Sequence, residues 1–105
     1  MSSSAIRLRA KAHGDRVEVK ALMRHPMEPG TRRDEQTGEL VLAHYIQEVT
    51  CQCNGVVVMR AHWGPAISQN PYFSFAFQGA SPGDEVTLYW IDNRGHSARQ
   101  SVLVS

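Results

Sequence analysis

The 105-residue sequence contains no long hydrophobic run and no apolar segment near its N-terminus. Its longest uninterrupted apolar stretches, residues 56–59 among them, have only four residues, far fewer than the roughly 18–20 that a membrane-spanning helix requires. The first residues also lack the apolar core and cleavage site of a secretory signal peptide. We therefore expect no membrane as a partner, and the N-terminus alone suggests a cytoplasmic protein.

Cysteine is scarce, with only Cys51 and Cys53 present. In an extended strand these two positions share a face, with Cα atoms about 6.6 Å apart. That separation lies near the upper limit for a disulfide, and parallel side-chain directions make the bond harder still. We expect both thiols to be free, and nothing in the cysteine count requires an oxidising compartment.

Neither sign of charge predominates, since 11 Lys and Arg residues stand against 10 Asp and Glu residues. A protein that binds nucleic acid regardless of sequence usually has a net basic surface, so this balance argues against such a partner. Arg7, Arg9 and Lys11 do share one face of a predicted strand. Because no aromatic residues are interleaved with them, we interpret that face as solvated.

Alternation of apolar and polar residues dominates the chain, and no segment has helical periodicity. Val17, Val19, Ala21 and Met23 fall on one face of a predicted strand, which is typical of a half-buried strand. About seven such segments occur, separated by turn signals. This pattern predicts a single all-β domain over residues 1–105, an immunoglobulin-like antiparallel β-sandwich of about seven strands, with residues 1–4 as a flexible N-terminus.

Two local patterns make more detailed predictions. All three phenylalanines lie on one face of a single segment, and we expect them, with Trp90, to form the centre of the core. Asn54-Gly55 between two apolar runs predicts a hairpin with a two-residue turn. A two-residue turn sets a register that pairs Cys51 with Val58 and Val49 with Arg60. The second pair would place a charged side chain on a buried face, so a bulge or a longer turn is the alternative.

Motifs for catalysis or metal binding are missing. His25, Met27, Cys51, Cys53 and His62 could suggest copper, but they do not have the spacing of a known site. No nucleophile stands in a recognised catalytic motif. We therefore expect no catalytic residues, no metal and no cofactor, and interpret the cysteines as packing residues.

Two features favour a binding role. Tyr89 and Ile91 are predicted to face outward, and exposed apolar residues of this kind often mark an interface. Scattered surface apolar residues without a partner are the alternative. The loop at residues 25–30 is stiffened by Pro26 and Pro29, which reduces the entropy lost on binding. We expect this loop to serve a partner and not the core; a rigid turn that merely joins two strands is the alternative.

Several motifs together resemble the SoxZ family, the smaller subunit of the SoxYZ sulfur-carrier complex of bacterial thiosulfate oxidation. The matching segments, in the order of the family pattern, are Leu22-Met23, residues 25–32, Ala43-His44-Tyr45-Ile46, Asn54-Gly55, Asn70-Pro71-Tyr72-Phe73, Gly83-Asp84 and residues 90–95. Leu42 departs from the family, which often has proline there. Cys51 and Cys53 are not part of the pattern, so they inherit no family role.

The resemblance implies an immunoglobulin-like fold and a heterodimer with SoxY, whose cysteine arm carries the sulfur intermediates and meets the other Sox enzymes. It also implies a non-catalytic role and a periplasmic location, reached by export with SoxY and not by a signal peptide of this chain. The residues that we predict to contact the partner are His25, Pro26, Met27, Glu28, Asn70, Pro71, Tyr72, Tyr89 and Ile91.

Other interpretations stay open at this point. The chain could be an independent small β-sandwich enzyme or metal-binding protein that uses Cys51, Cys53 and nearby histidines. The isolated chain could also associate with itself.

Overall fold

The computed structural model describes residues 5–105; the predicted flexible N-terminus at residues 1–4 lies outside the described residues. Within the described range the chain forms no helix, and so no helix that could cross a membrane. The strands in chain order are β1 (Ile6–His13), β2 (Arg16–Met23), β3 (Ile46–Cys53), β4 (Val56–His62), β5 (Tyr72–Gln78), β6 (Glu85–Asp92) and β7 (Ser97–Leu103).

These strands form two antiparallel sheets. One sheet has the order β1-β2-β5, and the other has the order β4-β3-β6-β7. The inward side chains of both sheets form one core, because alternate residues of each strand are apolar and point to the same side. The prediction of an all-β immunoglobulin-like sandwich of about seven strands is confirmed.

The centre of the core is aliphatic, which corrects the prediction that phenylalanines occupy it. Val19, Val49 and Leu88 are completely buried, whereas the rings of Phe73, Phe75 and Phe77 are only half-buried and pack against this core. Strand β5 is an edge strand, so its inward side chains have neighbours on one side only. Trp90, the fourth residue of that prediction, is buried.

The hairpin between β3 and β4 turns at Asn54-Gly55, where both residues have positive φ angles of 49° and 83°. This conformation is the one that the Asn-Gly pair favours. A bulge then shifts the register, so that Cys51 pairs with Met59 and not with Val58. Val49 therefore lies opposite Ala61 and not Arg60, and the bulge that was the alternative to a regular hairpin is present.

Both cysteines are free and buried, as expected from their geometry. Burial, with a smaller contribution from Cys53, raises the pKa of the Cys51 thiol to about 12. Burial also raises the pKa of Cys53, with Asp84 adding to the effect. Both thiols are therefore protonated near neutral pH and act as small apolar side chains.

We predict that truncating the aliphatic core destabilises the protein more than truncating the phenylalanine edge. Leu88→Ala should lower the free energy of unfolding by about 2–5 kcal/mol, because it leaves a cavity in a fully buried site. Phe75→Ala should lower it by less, because its half-buried site can be filled by water. Denaturant unfolding of the two variants measures the difference. A larger loss for Phe75→Ala would place the centre of the core at β5.

Candidate functional site

A buried carboxylate lies at one end of the sandwich, where β6 ends. Asp92 is 2% exposed, and its two oxygens accept four hydrogen bonds. His25 Nε2 and His44 Nε2 donate to Oδ2 at 3.0 and 2.7 Å. The backbone N–H groups of Arg94 and His96 donate to Oδ1, both at 2.9 Å. Asp92 therefore ties together the loop after β2, the segment before β3 and the turn between β6 and β7.

His25 reaches Asp92 because its backbone is held from the opposite side. Its N–H donates to Asn70 Oδ1 at 3.0 Å, and Asn70 N–H donates back to the His25 carbonyl at 2.9 Å. The His25 ring lies edge-on to the indole of Trp90, with centroids 5.0 Å apart. Asn70 has a φ of 50°, a left-handed conformation that asparagine tolerates better than most residues.

Met27 is the strained residue of this loop. Its φ is 49°, in the left-handed region that non-glycine residues rarely occupy, and its side chain is only 4% exposed. The strain is offset by its contacts, because Met27 N–H donates to His25 Nδ1 at 3.1 Å and its sulfur accepts from Ile46 N–H at 3.4 Å. Two backbone hydrogen bonds between Glu28 and His44 continue this pairing.

The turn between β6 and β7 holds the segment before β3 from the other side. Asn93 Oδ1 accepts from Tyr45 N–H at 2.8 Å, and Asn93 Nδ2 donates to the Ala43 carbonyl at 3.0 Å. The Arg94 guanidinium donates to the carbonyls of Ala43 and Leu42, both at 3.2 Å. The side chains of the turn thus fix the backbone on both sides of His44, and this keeps the His44 ring within hydrogen-bond distance of Asp92.

The charge state of the cluster follows from these contacts. Burial alone would raise the pKa of Asp92, but hydrogen bonds from His25, His96, His44 and Arg94 outweigh it and hold the pKa at about 2. Burial lowers the pKa of His25 and outweighs the hydrogen bond to Asp92, which raises it. Near neutral pH the cluster therefore contains an ionised carboxylate beside a neutral His25.

The same cluster invites comparison with a metal site. His25, His44 and Asp92 each place a ligand atom within 4.8 Å of the others, a donor set that zinc accepts. A metal would take the lone pair of His25 Nε2 and move the ring proton to Nδ1. That proton would then face Met27 N–H, which now donates to Nδ1. The residues present fit a hydrogen-bonded cluster better than a metal centre.

The structure brings the predicted partner-contact residues to this end of the sandwich, except Tyr89 in the middle of β6, and divides them by exposure. His25, Met27 and Pro71 are buried, whereas Pro26, Asn70, Tyr72 and Ile91 are exposed, and Glu28 and Tyr89 are half-buried. The expectation that the loop does not serve the core is therefore wrong for Met27, which belongs to the core cluster, and for His25, whose buried ring packs against Trp90. Tyr72 and Ile91 lie on the outer faces of different sheets.

Sequence reasoning did not identify Asp92 and His44 as members of a site. Both stand inside motifs that carry the family resemblance, but Asp92 is 67 residues from His25 and 48 from His44. The one available signal was an acidic residue at the end of a predicted buried strand, a position that requires a partner.

A family model described as "Sulphur oxidation protein SoxZ" matches residues 6–103 of the chain. That range includes every strand and every residue of the Asp92 cluster. No curated protein matches the sequence.

Solved structures show the same fold. Hypothetical protein PH1083 from Pyrococcus horikoshii OT3 superposes with a TM-score of 0.64 at 17% identity, covering 96% of this chain and 88% of that one. Superoxide reductase (neelaredoxin) from Ignicoccus hospitalis gives a TM-score of 0.56 at 14% identity, covering 96% of this chain and 80% of that one. At these identities the likeness concerns the fold alone.

We predict that Asp92→Asn lowers the free energy of unfolding by about 2–4 kcal/mol at neutral pH, because an amide NH₂ would face N–H donors. Asp84→Asn, in an exposed turn, is the control and should cost less. The ionised Asp92 stabilises the fold fully above its ordinary pKa of 3.8, and this contribution is lost as the pH falls toward about 2. The stability of Asp92→Asn should therefore depend less steeply on pH in that interval, as denaturant unfolding at each pH would show. Equal slopes would contradict the assignment.

We also predict that cobalt, a spectroscopic substitute for zinc, does not occupy the His25, His44 and Asp92 cluster. Added Co²⁺ should give no visible tetrahedral absorption, and added Zn²⁺ should leave the unfolding midpoint unchanged. The reason is the proton on His25 Nε2, which Met27 N–H keeps in place. Stoichiometric absorption that disappears in His44→Ala would overturn this prediction.

Proposed function

Because the chain belongs to the SoxZ family of sulfur-oxidation proteins, we propose that it is the non-catalytic subunit of a SoxYZ carrier complex. The observation that carries this proposal is the family match over residues 6–103. Membership supports a role in sulfur oxidation. In the proposed complex SoxY holds the sulfur intermediates on its cysteine, and this chain binds SoxY and presents it to the other Sox enzymes.

The chemistry of the side chains supports a binding role over a catalytic one. Cys51 and Cys53 are buried and their thiol pKa values are raised, so neither is a good nucleophile. His25 uses both ring nitrogens in hydrogen bonds within the fold. The cluster of His25, His44 and Asp92 is thus engaged in hydrogen bonds that hold a loop.

The alternative of an enzyme or metal protein that combines the cysteines with histidines has less support. Strand β3 begins at Ile46, beside the Asp92 cluster, and ends at Cys53. At about 3.3 Å per residue, the strand separates Cys53 from that end by roughly 23 Å. Cysteines and the His25 cluster therefore cannot share one ion.

We propose that SoxY covers the end of the sandwich that contains Asp92. The exposed members of the predicted contact set, Pro26, Asn70, Tyr72 and Ile91, surround this end. The backbone beneath them is fixed by the hydrogen bonds to His25 and Asp92. A surface that is rigid before binding loses little entropy in the complex, which favours affinity.

The test is co-expression of the chain with tagged SoxY, followed by affinity measurement. The wild type should co-purify with SoxY. Tyr72→Ala combined with Ile91→Ala should weaken the complex by about tenfold (~1.4 kcal/mol), because both side chains are exposed apolar groups at the proposed contact.

A matched control lies at the opposite end of the sandwich. Val56 and Leu103 are exposed apolar residues there, each more exposed than Ile91, and Val56→Ala combined with Leu103→Ala should leave the affinity unchanged. A larger loss in this control would move the contact to the other end. If the wild-type chain forms no complex with SoxY, the proposed function itself is refuted.

We further propose a periplasmic location, reached by export as a folded complex with SoxY. Cell fractionation with and without co-expressed SoxY tests this. The chain should appear in the periplasm only when SoxY carries its export signal. Periplasmic protein in the absence of SoxY would contradict co-export.

A further inference from the structure

The outer face of the β1-β2-β5 sheet concentrates positive charge. Its outward positions on β1 and β2 hold five of the 11 Lys and Arg residues of the chain and only one of the 10 acidic residues, Glu18. We call the following outward residues the basic face: Arg7, Arg9, Lys11, Arg16, Glu18, Lys20, Leu22 and Tyr72. The rest of the chain has more acidic than basic residues.

The cations of the basic face are largely unneutralised. Lys20 lies 3.6 Å from Glu18, the one ion pair that residues 5–105 make on this face. Arg9 stands directly opposite Lys20 in the antiparallel register. Like charges in that position destabilise a sheet, so folding alone does not account for the arrangement. A function that needs the charge does.

An open groove of about 480 Å³ crosses the end of the basic face nearest Asp92. Arg7, Leu22 and Tyr72 form one cross-strand row along it, with Arg9 and Lys20 in the next row. Leu22 is 41% exposed and Tyr72 is 62% exposed. Tyrosine and arginine are enriched among the energetically important residues of interfaces, and Leu22 adds exposed apolar area beside them.

We infer that the basic face docks a protein surface in which carboxylates surround an apolar side chain. The apolar side chain would lie against Leu22 and Tyr72, and the carboxylates would pair with Arg7, Arg9 and Lys20. Charge complementarity of this kind raises the association rate and selects the partner. The inference goes beyond the proposed function by naming the chemistry of the occupant. Tyr72 also belongs to the proposed SoxY contact, so where both proposals hold, SoxY supplies the acidic surface at this end of the face. The peptide test below does not depend on SoxY.

A nucleic acid fits this face less well than an acidic protein. The outer face of this sheet offers only two rings among the described residues, Tyr72 and the imidazole of His13, and they lie at opposite ends of the strands, whereas single-stranded nucleic acid is held by stacking on successive rings. A polyanion longer than the face would also meet the acidic remainder of the chain, whereas a protein patch of matching size would not.

The test is an amide chemical-shift titration of the ¹⁵N-labelled full chain with a peptide of about ten residues, in which glutamates flank two central leucines. Shifts should be confined to β1, β2 and the start of β5, and the affinity should fall as salt is added. A peptide with glutamine in place of glutamate and an oligothymidylate of the same length are the comparison probes. Neither should bind comparably.

Charge-reversal variants separate the effect of charge on the basic face from the effect of the net charge of the chain. Arg9→Glu with Lys20→Glu should weaken peptide binding by at least about tenfold. Arg60→Glu with Arg99→Glu, exposed positions on the outer face of the other sheet, changes the net charge equally and should have a much smaller effect. The amide spectra report whether each variant is folded. Three results would overturn the inference: no shifts with the acidic peptide, equal binding of the oligothymidylate, or equal weakening in the two variant pairs.

Discussion

The ionised carboxylate of Asp92 is the constraint on which one end of this sandwich depends. A buried charge is tolerated only when hydrogen bonds replace its hydration, and Asp92 obtains four of them from three separate chain segments. The loop after β2, the segment before β3 and the turn after β6 must therefore all be in place together. This requirement orders the loop after β2 and the segment before β3, whose backbone lies mostly outside the two sheets.

The neutral state of His25 follows from the same geometry. Its Nδ1 accepts from Met27 and its Nε2 donates to Asp92, so each ring nitrogen has one defined role. The strain of the left-handed Met27 is offset by two contacts made in that conformation, because its N–H donates to His25 Nδ1 and its sulfur accepts from Ile46 N–H. Strain in one residue thus serves to place an imidazole, and the two prolines of the loop reduce the number of conformations that compete.

The strands could be predicted from the sequence, because inward residues such as Val17, Val19 and Leu88 alternate with polar ones and alternation is a local property. The bulge beside Cys51 could only be suspected, since register depends on the partner strand. The burial of Phe75 was overestimated because edge position depends on sheet order, which periodicity does not contain. The Asp92 cluster was missed because its members are distant in sequence and meet only through the fold.

For a similar reason, the net charge does not predict how charge is distributed over the surface. The balance of 11 basic and 10 acidic residues argues against a partner that is attracted by the net charge of the whole molecule. A docking protein interacts only with charges that lie within a screening length of about 8–10 Å of it. On the basic face itself the cations outnumber Glu18, because the alternation of β1 and β2 sends their charged residues to one side. The pattern that buries Val17 and Val19 therefore also creates the charged face. Core formation and partner selection are set by the same two strands.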